Sequence, residues 1–99
     1  MKPVVFGLDA SAELGAAVAW YDTNAVGLGE GFLLHVEDVL QLIAETPTGF
    51  PTWDAAPRIR GAVVQRFPYV VCYRELADRV EVVAVAHGAR SLGYWLKRE

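Results

Sequence analysis

Val4, Phe6 and Leu8 alternate along "VVFGLD" (4–9), a pattern that predicts a first strand. Asp9 or Ser11 then offers an N-cap, and Glu13 is placed to favour the positive end of a helix. Leu14, Val18 and Tyr21 recur at helical spacing, so this first helix should run to about Asp22 before "TNAVGLG" breaks it. In the next segment Leu28, Phe32, Val36, Leu40 and Ile43 fall on one stripe, predicting a second helix that Pro47 stops. With only a few residues between them, the two should form an antiparallel helical hairpin. "PTGFPTWDAAP" (47–57) is a loop rich in proline and turn formers. Three strands are expected after it, over about 58–66, 69–75 and 80–86, with Phe67-Pro68 and "LADR" (76–79) supplying the reversals. Gly93 to Arg98 is expected as a short terminal helix or tail. The order β-α-α-β-β-β predicts an α+β fold, with the hairpin on one face of a small, mostly antiparallel sheet. Residues 1–99 should make a single domain, with the first strand joining the sheet at an edge or in its centre. Trp20, Phe32 and the Val and Ile positions are the expected core between helices and sheet.

Alternation along the second strand places Ile59, Gly61 and Val63 on one side and Arg58, Arg60, Val64 and Arg66 on the other. Unpaired buried charge is costly, so these arginines are expected on an open sheet face. The facing of Arg74 is not decided by the pattern. His87 and Arg90 follow the last apolar run, "VEVVAVA", and should reach the rim of the same surface.

Charge sharpens this picture. The chain carries a formal −3, unevenly spread. Residues 1–50 hold one base, Lys2, and seven acids, a balance of −6; residues 51–99 hold eight bases and five acids, a balance of +3. Such asymmetry points to one face that meets an acidic partner, nucleic acid or protein. The single cysteine, Cys72, excludes an internal disulfide and lies in the strand pattern "YVVCYRE", where a buried, unreactive thiol is expected. No apolar run nears the ~20 residues of a membrane span. The start "MKPVVFGLDASAEL" does not have the make-up of a signal peptide, so a cytoplasmic protein is expected. Two histidines and one cysteine offer no metal-ligand spacing, and no glycine-rich phosphate loop precedes a helix; neither metal nor cofactor is expected.

Several pieces taken together, "AELGAAVAWYD", "GLGEGFLLHVEDVLQLIAETP", "FP", "IRGAVVQRFPYVVCYRE" and "VEVVAVAHGARSLGYW", resemble the RelE/ParE superfamily of bacterial toxins in the family's own order. They cover nearly the whole chain. One departure is Leu92, which stands in "HGARSLGYW" where the closing motif of this branch usually has proline. The resemblance implies a curved sheet with a helical hairpin. It also implies the toxin of a plasmid-stabilisation pair that inhibits growth until a cognate antitoxin wraps and silences it, with operator DNA reached only through that antitoxin.

Mechanism divides the superfamily. RelE-like members resemble ribonucleases that cut messenger RNA on the ribosome, whereas ParE-like members poison DNA gyrase without cleaving a bond themselves. Cleavage through a ribose 2′-hydroxyl requires a base, cations for the phosphorane charge and an acid for the leaving oxygen. A nuclease would draw His87 as base or acid, Arg60, Arg66 and Arg90 as clamps, and Tyr94 as a second proton carrier. The plainer expectation is a structural His87, a Tyr94–Trp95 latch that closes the tail over the sheet, a solvated His35, and Asp9 and Glu13 serving only as capping residues. A ribosome-bound nuclease benefits from strong positive charge, and this chain has a pI of about 5.3. "WYD", "RFPY" and "AVAH…R…YW" are also more similar to the ParE-like branch. A non-enzymatic toxin acting on gyrase is therefore preferred over the nuclease, with a non-toxic protein-binding module as the third alternative. Arg58, Arg60, Arg66, Arg90 and Trp95 are the residues expected to meet target or antitoxin.

Overall fold

The computed structural model describes residues 1–90 and 93–98. Its first strand, β1 (Val4–Phe6), pairs in parallel with the last, β5 (Val80–His87), through Val4↔Val80, Val5↔Glu81 and Phe6↔Val82. The pairing ends where Gly7 donates its N–H to the Val82 carbonyl at 3.0 Å, and the chain turns there directly into a helix. Helix α1 (Leu8–Asn24) accordingly has Gly7 as its N-cap, with no side-chain cap. That corrects the assignment of capping to Asp9 or Ser11: the strand–helix junction, not a capping side chain, sets the start.

Helix α2 (Leu28–Glu45) returns alongside α1. Gly27, at φ 81°, makes the left-handed turn between them. Gly29 lets the helices touch: a Cβ there would lie 2.5 Å from the Val18 carbonyl oxygen, and the Gly29 N–H donates to Asp22 Oδ1 at 2.9 Å. α2 buries Phe32, Val36, Val39 and Ile43, while Leu28 lies at the margin of the stripe. In α1 the buried positions are Ala10, Ala17 and Tyr21, with Leu14 and Val18 partly buried. Trp20 is 60% exposed, contrary to its expected place in the core. The helical phase explains it: Tyr21, on the 14–18–21 stripe, fills the place, and Trp20 lies about 100° round the helix.

Strands β3 (Ala56–Val63) and β4 (Tyr69–Glu75) complete the antiparallel part with β5, and a two-residue β2 (Thr52–Trp53) adds an edge, giving the order β1-β5-β4-β3-β2. β2 falls in the stretch expected as loop; its two residues are too few to leave a periodic signal. β3 starts two residues before the expected position and stops at Val63, so Arg66, at φ 68°, belongs to the turn.

Both faces of the sheet are covered. Toward the helices, Ala62, Val64, Val71, Tyr73, Val80, Val82 and Val85 meet Phe32, Val36, Val39, Ile43 and Tyr21. On the far side Ala56, Ile59, Cys72, Val83 and Ala84 lie under Trp95 of the terminal 3-10 helix (Tyr94–Arg98), with Trp53, Val70 and Tyr94 beside them. This reverses the expected facing of β3. The even-numbered side, with Ala62 and Val64, looks toward the helices, and the odd-numbered side carries Ile59. Arg60, flanked by Thr52 of β2 and Tyr73 of β4, is accommodated because its guanidinium donates to the Phe50 carbonyl at 2.7 Å. Arg74 pairs across the strands with Glu81 at 2.8 Å.

Phe32→Ala should lower unfolding free energy by about 3–5 kcal/mol, since Phe32 is fully enclosed. Trp20→Ala should cost less than about 1 kcal/mol, because a largely exposed ring forfeits little on truncation. Urea denaturation of the two variants checks both values.

Candidate functional site

β1 covers β5 only from Val80 to Val82, so the rest of that edge needs other partners. Glu13, on the second turn of α1, supplies one. Its Oε1 accepts the Val85 N–H at 3.0 Å and Arg98 Nη1 at 2.8 Å; its Oε2 accepts the Tyr94 hydroxyl. Arg98 Nη1 also donates to the Val83 carbonyl at 3.1 Å, and its Nε lies 3.3 Å from Asp9 Oδ2. Two side chains thus satisfy the strand edge that β1 leaves bare. Burial pushes the Glu13 carboxyl up, but the hydrogen bonds from Arg98, Tyr94 and Val85 outweigh it and hold it below the ordinary glutamate range. Burial, and then the bond to Glu13, push the Tyr94 hydroxyl up, so it acts as a donor. Glu13 was expected only to favour a helix terminus. It joins α1, β5 and the terminal helix instead.

Arg90 leaves the end of β5 and stacks on this assembly. Its guanidinium carbon lies 3.9 Å from the Tyr94 ring centroid, and its Nη1 3.9 Å from Glu13 Oε2. The side chain stays 57% exposed. Trp95 is 1% exposed and packs edge-on to Trp53, with centroids 5.5 Å apart. The Tyr94–Trp95 latch is therefore present. Trp95 lies too deep to touch another protein in this conformation. Leu92 lies outside the described residues.

Between α1 and the end of β5 runs a recess of about 250 Å³, lined by Glu13, Ala16, Ala17, Trp20, Tyr69, Val85, His87 and Arg90. It continues as a second hollow of about 390 Å³ past Tyr21 and Pro68. The small side chains of Ala16 and Ala17 leave this space open. His87 stacks edge-on to Tyr69 at 5.1 Å, and its Nδ1 accepts the Ala89 N–H at 3.0 Å, so a neutral ring carries its proton on Nε2. His35 is partly buried rather than solvated: Nδ1 bonds the Gly31 carbonyl at 2.8 Å and the ring lies against Phe67.

The sequence-derived site residues do not converge. His87, Arg90 and Tyr94 lie at one end of β5. Arg60, opposite Tyr73, sits four residues along from the Tyr69↔His87 pair, roughly 13 Å away at the strand rise. Arg58 is exposed near the start of β3, and Arg66 is exposed in the β3–β4 turn. Cys72 is fully buried, and burial pushes its thiol up to about 12, out of reach of thiolate chemistry. Among the described residues no three His, Cys, Asp or Glu side chains converge as a metal site, and no helix is long and apolar enough to cross a membrane. Sequence reasoning missed the roles of Glu13, Arg98 and Trp20. Glu13 and Tyr94 are 81 positions apart, and no local pattern links them.

No family model and no curated protein matches the sequence. In fold, the chain is similar to one in a solved structure described as the chromosomal ParDE TA system from P. aeruginosa. The TM-score is 0.65 at 19% identity, over 88% of this chain and 96% of that one. The likeness establishes the fold: two helices on a five-stranded, mostly antiparallel sheet.

Glu13→Gln should lower stability at pH 7 by about 1.5–3 kcal/mol, the scale of hydrogen bonds to a charged group. Because the folded carboxyl titrates below its ordinary value of 4.5, this advantage is full above that value. It should fade as pH falls through the lower folded value, where the wild-type side chain is itself neutral. Denaturant titrations of both proteins from pH 7 down to acid should show the two curves converging.

Proposed function

We propose that this protein is the toxin of a bacterial toxin–antitoxin pair, held silent by a cognate antitoxin, and that free toxin acts by binding DNA gyrase rather than by cleaving RNA. The observation that carries the toxin role is the likeness in fold, over nearly the full length of both chains, to a component of a ParDE system. Collinear motifs in the sequence support the same assignment. Operator DNA would be reached only through the antitoxin.

Support for the non-nuclease branch comes from the geometry around His87. A 2′-hydroxyl cleavage needs a base, an acid and phosphate-clamping cations on one reacting centre. Here the Tyr94 hydroxyl is committed to Glu13, Arg60 to the Phe50 carbonyl, and Arg66 to a turn outside the strand. Arg90 is the cation left facing outward beside His87. Such an arrangement suits contact with a protein better than stabilisation of a phosphorane. The net charge of −3 likewise disfavours a ribosomal RNA surroundings.

Controlled expression should arrest growth, and co-expression of the adjoining reading frame should relieve the arrest. DNA supercoiling by purified gyrase should be inhibited, while a translation extract shows no site-specific messenger cleavage. Arg90→Ala should weaken toxicity and shift stability by less than about 0.5 kcal/mol. Trp95→Ala should lose both toxicity and about 3–5 kcal/mol of stability. His87→Gln should retain most of the toxicity. Messenger cleavage that falls on the order of 10²–10⁴-fold in His87→Gln, at unchanged stability, would instead establish the nuclease.

A further inference from the structure

We infer that the terminal 3-10 helix is a latch that opens as a unit while the rest of the fold stays intact, with Glu13 as its clasp and the sheet face around Cys72 as the surface it uncovers. Such a latch is independent of the toxin role proposed above.

Separate apolar clusters flank the sheet. Tyr21, Phe32, Val36 and Ile43 pack between helices and sheet, whereas Ile59, Cys72, Val83 and Ala84 pack beneath Trp95 on the other side. Lifting Trp95 therefore opens the second cluster and leaves the first closed. Among the described residues, the terminal helix is held to the remainder of the protein by side chains, while its own backbone bond, from the Leu96 N–H to the Gly93 carbonyl at 2.9 Å, is internal. Its five residues form a 3-10 turn, in which hydrogen-bond geometry is poorer than in an α-helix. Gly93, at φ 85°, supplies the pivot, in a conformation that residues with a side chain rarely adopt. Segments tied down in this way are the ones that open locally before a domain unfolds.

The clasp is concentrated on one carboxylate. At one end of the helix the Tyr94 hydroxyl donates to Glu13 Oε2; at the other, Arg98 donates through Nη1 to Oε1 at 2.8 Å and through Nη2 to Oε2 at 3.3 Å. Arg90, stacked on the Tyr94 ring, lies 3.9 Å from the same Oε2. Because both ends of the helix meet a single side chain, weakening that side chain frees both together, and the opening is cooperative. The closed state also carries a defect. Trp53 packs edge-on to Trp95, and its Nε1 is buried without a hydrogen-bond partner. A donor buried unpaired is unfavourable, and an indole released from Trp95 can turn that N–H to water. Burial of the Trp95 ring acts in the opposite sense, so the closed form dominates and the open one is a minor state.

Cys72 serves as the reporter, being the single cysteine of the chain, fully buried, and packed beneath Trp95. The rate at which dithiodipyridine modifies its thiol is measured on the full-length protein from zero urea to the unfolding midpoint. Wild type is compared with Glu13→Gln, Tyr94→Phe and Phe32→Leu, and circular dichroism gives the midpoint of each. In wild type, modification without urea should run about 10-fold or more faster than global unfolding allows, and should change little with urea until close to the midpoint. Glu13→Gln should accelerate it by about 10-fold or more and Tyr94→Phe by about 3-fold or more, as loss of hydrogen bonds to a charged group does. Phe32→Leu, on the opposite face, should lower the midpoint yet leave the rate without urea within about 2-fold of wild type. Should Glu13→Gln not fold, Tyr94→Phe, which keeps the carboxylate, carries the comparison. A rate that climbs with urea from the start, and rises in Phe32→Leu by the factor its lost stability predicts, overturns the latch, because Cys72 is then reached only through global unfolding. A shallow urea dependence that ignores both Glu13→Gln and Tyr94→Phe overturns Glu13 as the clasp.

Discussion

A single carboxylate holds the end of this molecule together. Glu13 projects from α1 onto the edge of β5, where the three-residue β1 has already run out, and takes the Val85 N–H that would otherwise be left unpaired. An orphan backbone donor at a buried edge costs about 1–3 kcal/mol, and a buried carboxylate without donors costs more. Each would be unfavourable alone; together, with Arg98 and the Tyr94 hydroxyl completing the set, both are satisfied. The same contact fastens the terminal 3-10 helix, and with it Trp95, onto the far face of the sheet.

That fastening decides where the outward-facing chemistry can be. Arg90 lies on the Tyr94 ring because Glu13 orients the phenol, and His87 turns its Nδ1 back to Ala89 in the same turn. The recess beside them exists because α1 presents Ala16 and Ala17 there, too small to fill the gap between helix and strand.

The two faces of the sheet explain why the arginines are scattered. Trp95 and Trp53 cover much of the sheet on the side away from the helices, although Val63 on that side stays exposed. Arg58 near the start of β3, Arg60 within it and Arg66 in the following turn therefore do not share one open face. Arg60, partly buried, satisfies its charged head on the Phe50 carbonyl, the usual compromise for a long cationic side chain beside a core.

What the sequence determined by itself was the order and type of the main elements. The α2 stripe at Phe32, Val36 and Ile43, the reversal at Phe67-Pro68 and the apolar run of β5 are local periodicities, and each appears close to where it was expected. The buried, unreactive Cys72 was legible for the same reason. Tertiary structure alone decided which side of β3 met the helices, because alternation fixes two sides of a strand but does not say which is inward when both are covered. It also decided that Tyr21 rather than Trp20 entered the core, since two adjacent aromatics compete for one helical phase. Above all it decided the role of Glu13. A carboxylate on a helix reads as solvated until the fold brings up Val85, Tyr94 and Arg98, more than 70 positions away, and hydrogen bonding at a strand edge is set by what arrives there in space.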